Sequence, residues 1–221
     1  FSIVIGDSAA ATGTHATAIG SDATTTGTGA TAIGNYARAE GDYATAIGST
    51  SKATGDNSTA IGSSAKAYEY ASTALGYQTN ATGTGAVALG SQAKVSGNYS
   101  TAVGHGSNTA FTYATAVGVN SNASGDNSVA LGSASTASGS AAVAVGSNSM
   151  AASSYAVSVG ASATSNGESA VALGCISSAG GNYSTALGTS AGANGVSSLA
   201  VGCSAKATGD YATAVGVNSK V

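Results

Sequence analysis

Proline and tryptophan are absent from this 221-residue chain, methionine occurs once, cysteine and phenylalanine twice each, and charged residues make up only 7% of it. Each scarcity removes a class of protein. Without proline, and with glycine failing to fall on every third residue, a collagen-like triple helix is excluded. The charged fraction lies far below the roughly 25% of an ordinary soluble domain, and so little charge, Leu and Phe argues against an α/β enzyme of this length. No apolar run approaches the ~18 residues of a membrane-spanning helix. The opening residues lack the basic start, apolar run and cleavage site of a secretory signal peptide. Six basic against nine acidic residues give a formal net charge of −3, which argues against nucleic acid, whose binding rests on Lys and Arg meeting phosphates.

What is abundant is glycine, 33 residues spread evenly. Each would cost a long helix about 1 kcal/mol, so that architecture is excluded too. The glycines keep time. A Gly preceded by Ile, Leu or Val stands at 6, 20, 34, 48 and every fourteenth residue to 216, without insertion or deletion. A second Gly follows seven residues later in most repeats, as at Gly13, Gly27, Gly41 and Gly55. The unit is clearest from Tyr43 to Asp56, Tyr-Ala-Thr-Ala-Ile-Gly-Ser-Thr-Ser-Lys-Ala-Thr-Gly-Asp. Two glycines per period predict two short strands and two tight corners per coil, each Gly supplying a geometry that a Cβ hinders or a close chain approach. Thr, Val and Ile gather in the first segment, where strand propensity is wanted. Successive coils then stack their strands in parallel about 4.8 Å apart. The expectation is an all-β parallel solenoid of sixteen 14-residue repeats, 1–221 forming a single repeat domain. Hexapeptide and calcium-binding nonapeptide solenoids do not fit, because neither period divides fourteen.

Alternation of side chains along a strand assigns the faces. Ala44 and Ala46 share one face, Thr45 and Ile47 the other; in the second strand Ser51 and Ala53 oppose Lys52 and Thr54. Small residues of both strands fill a thin interior, and the Lys and Thr face meets water. One row is left over. Ile5, Ile19, Ile33, Ile47, Ile61, Leu75, Leu89, Val103, Val117, Leu131, Val145, Val159, Leu173, Leu187, Val201 and Val215 all point away from the Ala-filled interior. A wet stripe of that length exceeds what soluble monomers expose, and burying each side chain contributes about 1.5–3 kcal/mol. The row therefore calls for parallel copies of the chain around a common axis, cyclic symmetry being the usual solution. Three copies suit a triangular axis, although the pattern alone does not count them.

These residues resemble the YadA-like head of trimeric autotransporter adhesins, whose pattern is Asn-Ser-Val-Ala-Ile-Gly with a small residue three positions later. Asn127-Ser128-Val129-Ala130-Leu131-Gly132 with Ser135, and Asn57-Ser58-Thr59-Ala60-Ile61-Gly62 with Ala65, carry the resemblance. It implies a left-handed parallel β-roll in a parallel homotrimer of two further identical chains, displayed on a surface fibre anchored in the bacterial outer membrane by segments not in this chain. It also implies attachment to extracellular matrix, collagen-like ligands included, or to cells and surfaces, with no cofactor. Thr replaces the family's Val at Thr17, Thr31, Thr45 and Thr101, which makes the axial row less apolar. The chain starts and stops within the repeat, as an excised segment of a longer fibre would.

All six basic residues share one column, Arg38, Lys52, Lys66, Lys94, Lys206 and Lys220, and most acids a second, Asp42, Asp56, Asp126, Glu168 and Asp210. A solvated outer face accounts for both; a weak charged ligand strip near Arg38–Lys94 is the sharper reading. Between Lys94 and Lys206 the basic column is neutral and holds Met150. That stretch also contains the Asn127, Ser128 and Ser135 motif, so a collagen-like partner is sought there. Three coils lose their second Gly, bringing Tyr68, Tyr70 and Phe111 to two corners as candidate contacts; packing within the corner or against a neighbouring protomer is the alternative. The Tyr that opens several first strands, as at Tyr43 and Tyr99, reads as seam packing. His15 and His105 read as surface polar residues. Cys175 and Cys203 lie two coils apart, about 9.6 Å, beyond the roughly 7 Å span of a disulfide, and no His or Asp beside them completes a zinc site. Nothing assembles a nucleophile with a base, the glycines open no helix, and an Ala-filled roll has no room for a substrate pocket. Binding is thus expected, not catalysis. An ice-binding Thr ladder and a ligand-free fibre shaft are the other readings; Val87, Val129 and Val143 interrupt the ladder.

Overall fold

The structure, a computed structural model, describes residues 1–221. It contains strands and turns and no helix, and divides into two compact units, Phe1–Ala110 and Phe111–Val221. In the first unit, three-residue strands from Ile3–Ile5 to Thr101–Val103 alternate with two-residue strands from Ala10–Ala11 to Asn108–Thr109. In the second, long strands run from Thr115–Val117 to Thr213–Val215 and short ones from Asn122–Ala123 to Lys206–Ala207. Within each unit the long strands pair in parallel with long strands, and the short with short. The expected parallel solenoid is what forms. Register follows the repeat: Thr45, Ala46 and Ile47 pair with Thr59, Ala60 and Ile61, and Lys52 and Ala53 with Lys66 and Ala67.

The interior is as thin as the alternation predicts. Ala44, Ala46 and Ala53 are fully buried, as is Ser51, and the same columns stay buried along both units. Larger interior side chains are few: Val95, Thr25, Thr79 and Thr109. Many interior Ser and Thr cost little because their hydroxyls find local acceptors. Ser51 Oγ donates to Gly48 O at 2.8 Å, and Thr79 Oγ1 to Gly76 O at 2.9 Å. A buried hydroxyl without a partner forfeits its hydration; this turn-closing bond removes that cost where it forms, while Thr25, Ser58, Thr109, Ser184 and Ser198 are buried without one.

The two glycines of a repeat answer different demands. Gly34, before one corner, has φ +134°, and a Cβ there would lie 2.6 Å from the carbonyl oxygen of Gly48 in the next coil. Gly41, at the other corner, has no left-handed dihedral; a Cβ would instead run into the Gly55 carbonyl. The principal Gly thus needs both its φ and its bareness, the second only its bareness. The left-handed residue of each corner lies elsewhere, two positions after the Gly. Its column recurs every seven residues and holds 28 non-glycine residues with φ from 52° to 61°. In the corner Gly48–Ser51, Thr50 has φ 56° and Ser51 N donates back to Gly48 O at 3.2 Å. Positive φ at the third residue is the signature of a type II turn, which ordinarily selects Gly or Asn. Here Tyr, Ser, Thr and even Ile176 occupy it.

Candidate functional site

Each coil offers two outer faces and two corners. On the long-strand face of the first unit, Ile33 and Leu75 are exposed while Ile19, Ile47, Ile61, Leu89 and Val103 are half-buried; Ile5, in the first strand, is exposed. In the second unit Val117, Leu131, Val159, Leu187 and Val215 are exposed, and Val145, Leu173 and Val201 are half-buried. None enters the interior of its own coil. Parallel pairing of like with like, Ile47 beside Ile61 and Leu131 beside Val145, makes the row a contiguous apolar ridge in each unit, flanked by half-buried Thr and Val from the same strands.

The short-strand face is polar. Arg38, Lys52, Lys66, Asn80, Lys94 and Asn108 form one register-aligned row. Arg38 Nη2 lies 2.8 Å from Glu40 Oε1 and Lys52 Nζ 3.8 Å from the same oxygen. Lys52 Nζ also sits 5.9 Å from the centroid of the Tyr68 ring. In the second unit the row begins with Asn122 and Thr136 and exposes Met150 before returning to lysine at Lys206.

The acidic column has a structural task that composition did not reveal. Asp56 Oδ1 accepts from the Asp42 amide at 2.9 Å, Asp42 Oδ1 from Thr28 N at 2.7 Å, and Asp210 Oδ1 from Val196 N at 2.8 Å. Asn98 and Asn182 cap Thr84 N and Glu168 N identically. Each carboxylate or amide thus satisfies a corner amide one coil back, and Asn serves as well as Asp, so geometry rather than charge selects the column. The recurrence of Asp or Asn after the second Gly was the available signal.

The candidate contacts separate. Tyr70, Phe111 and Met150 are exposed, by 58%, 49% and 37%; Asn127 is exposed in a left-handed corner, and Tyr68 is half-buried beside Lys52. Ser128 and Ser135 do not reach the surface. Both are fully buried, and their hydroxyls donate to Gly125 O at 2.6 Å and Gly132 O at 2.8 Å. Their place in the repeat is a corner-closing one, so they are corrected from ligand contacts to turn residues. Tyr43 and Tyr99 are exposed at left-handed positions, their rings against the bare Cα of Gly29 and Gly85 one coil earlier. Cys175 and Cys203 are exposed free thiols, and His15 and His105 lie at the surface.

The family model described as "YadA head domain repeat (2 copies)" matches residues 1–23, 11–37, 26–51, 39–65, 53–79, 67–93, 81–107, 112–135, 123–149, 151–174, 176–191 and 193–219. Between 1 and 219 the matches leave 108–111, 150, 175 and 192 uncovered; the first of these gaps contains Phe111, which stands in place of the second Gly. No curated protein matches the chain. Among solved structures, the collagen-binding domain of the Yersinia adhesin YadA is similar at 21% identity and a TM-score of 0.22, over 97% of this chain and 80% of that one.

Proposed function

Since the chain belongs to the family of the YadA head domain repeat, we propose that it is an adhesin head that attaches a bacterium to extracellular matrix or to cells. In this reading it works as one repeat domain of a longer fibre on the cell surface, as a parallel homotrimer. The observation that carries the proposal is the aliphatic ridge. An Ile, Leu or Val lies outside every coil of each unit, and none is buried by its own chain. Water contact along such a ridge is costly. Parallel copies related by a rotation axis bury it without altering the coil. The polar short-strand faces and the corners then point away from the axis, each copy presenting the same shallow contacts. Linked weak sites reinforce one another, so a trimer holds a repetitive fibrous ligand more firmly than a single chain does.

The neutral short-strand face of the second unit, with exposed Met150 and the nearby corner residue Asn127, supports a collagen-like ligand there; Tyr68, Tyr70 and Phe111 supply aromatic contacts at other corners. The test is mass in solution by light scattering, followed by a matrix-protein binding panel on the assembled species. Three chains per particle that bind collagen or another matrix protein are expected. A stable monomer overturns the assembly, and a trimer that binds nothing in the panel overturns adhesion in favour of a shaft without a ligand. Replacing Leu131 and Val145 together by Asp should leave the chain folded but monomeric.

A further inference from the structure

The basic end of the short-strand face is more than a solvated strip. Lys66, Asn80 and Lys94 are register partners on consecutive strands, which places the two lysines about 9.6 Å apart with Asn80 between them. Arg38 and Lys52 share Glu40, whereas Lys66 and Lys94 have no acidic partner. Beside them runs a shallow groove walled by Thr50, Ser64 and Gln78 and floored by Asn80, and it continues past Lys94 to Gln92 and Asn108. No carboxylate lines it, although the chain as a whole is acidic; the acids of this unit occupy the corners and Glu40. Asn80 is half-buried in that lining with its Oδ1 beneath the surface, which leaves the amide nitrogen as the donor it presents to a ligand.

Two cations on alternate coils, with amides and hydroxyls along an open trough between and beside them, together describe a ligand that is extended, periodically anionic and rich in hydroxyls. We propose that this groove binds a linear sulfated polysaccharide, its sulfates on Lys66 and Lys94 and a sugar hydroxyl on Asn80. Single-stranded nucleic acid fits less well, because the groove lacks the row of aromatic platforms on which bases stack. The groove lies across the coil from the aliphatic ridge, so the proposal goes beyond the adhesin reading and stands whether or not that ridge is shared.

The test is binding of size-defined heparin oligosaccharides to the full chain near 0.15 M salt, with light scattering of each variant. Lys66→Gln with Lys94→Gln should weaken binding roughly tenfold and lower the salt dependence by about two counterions. Lys206→Gln with Lys220→Gln, in the second unit, should leave it unchanged. Asn80→Leu, which keeps both charges, should weaken the oligosaccharide while preserving the salt slope. Desulfated heparin should not bind. No binding by the wild-type chain, equal loss in both lysine variants, or equally tight binding of an oligonucleotide of matched charge each overturns the proposal. Changes in oligomeric mass with intact heparin binding would count against trimeric assembly alone.

Discussion

At Ile176 a β-branched side chain has φ 58° and is 59% exposed, a conformation that sterics make unfavourable for such a residue. Asn tolerates that region, and the repeat itself places Asn in the same column at Asn120, Asn148 and Asn218. Ile176→Asn should therefore stabilise the fold by about 1 kcal/mol, seen as a higher urea midpoint with unchanged slope. The cap column gives the opposite sign. Asp56→Ala leaves the Asp42 amide without its acceptor and should cost about 1 kcal/mol, whereas Asp56→Asn should be close to neutral. Neither effect is visible in composition. A column of Asp and Asn looks like a solvated face until the corner amides one coil back are located, and the left-handed column is invisible because Tyr, Ser and Gln do not advertise positive φ.

A strand here is only two or three residues long, so stability rests on stacking identical strands in register. That architecture was legible: the period, the alternation and the Ala-filled interior all follow from residues such as Ala44, Ala46, Ser51 and Ala53. What the pattern misassigned was Ser128 and Ser135. A family motif marks recurrence, and recurrence in a solenoid is as readily produced by a corner as by a ligand. The same thin interior sets the tolerance of each element. Ala46→Leu, at a fully buried position facing the opposite strand, should cost at least 1–3 kcal/mol, measured by thermal unfolding. Gly41→Ala should act through the backbone, since its new Cβ meets the Gly55 carbonyl rather than a movable side chain.

For the molecule as a whole, the decisive property is that the two faces of each coil differ. The long-strand face carries the half-buried to exposed aliphatic row, and the short-strand face is polar and carries every basic residue. Because the two faces differ in this way, the proposed assembly and the proposed ligand binding can be tested by separate substitutions. The register adds a further property. Because each coil meets its neighbour through the same columns, excising residues 48–61 joins Ile47 to Gly62 and sets Thr45 opposite Thr73, both already in matching positions. That deletion should retain the wild-type circular dichroism spectrum and a single cooperative melt. Whole periods of coding sequence are then interchangeable at the level of the gene, so that slippage during replication can shorten or lengthen the molecule without crippling it, and its size becomes a trait on which selection can act directly.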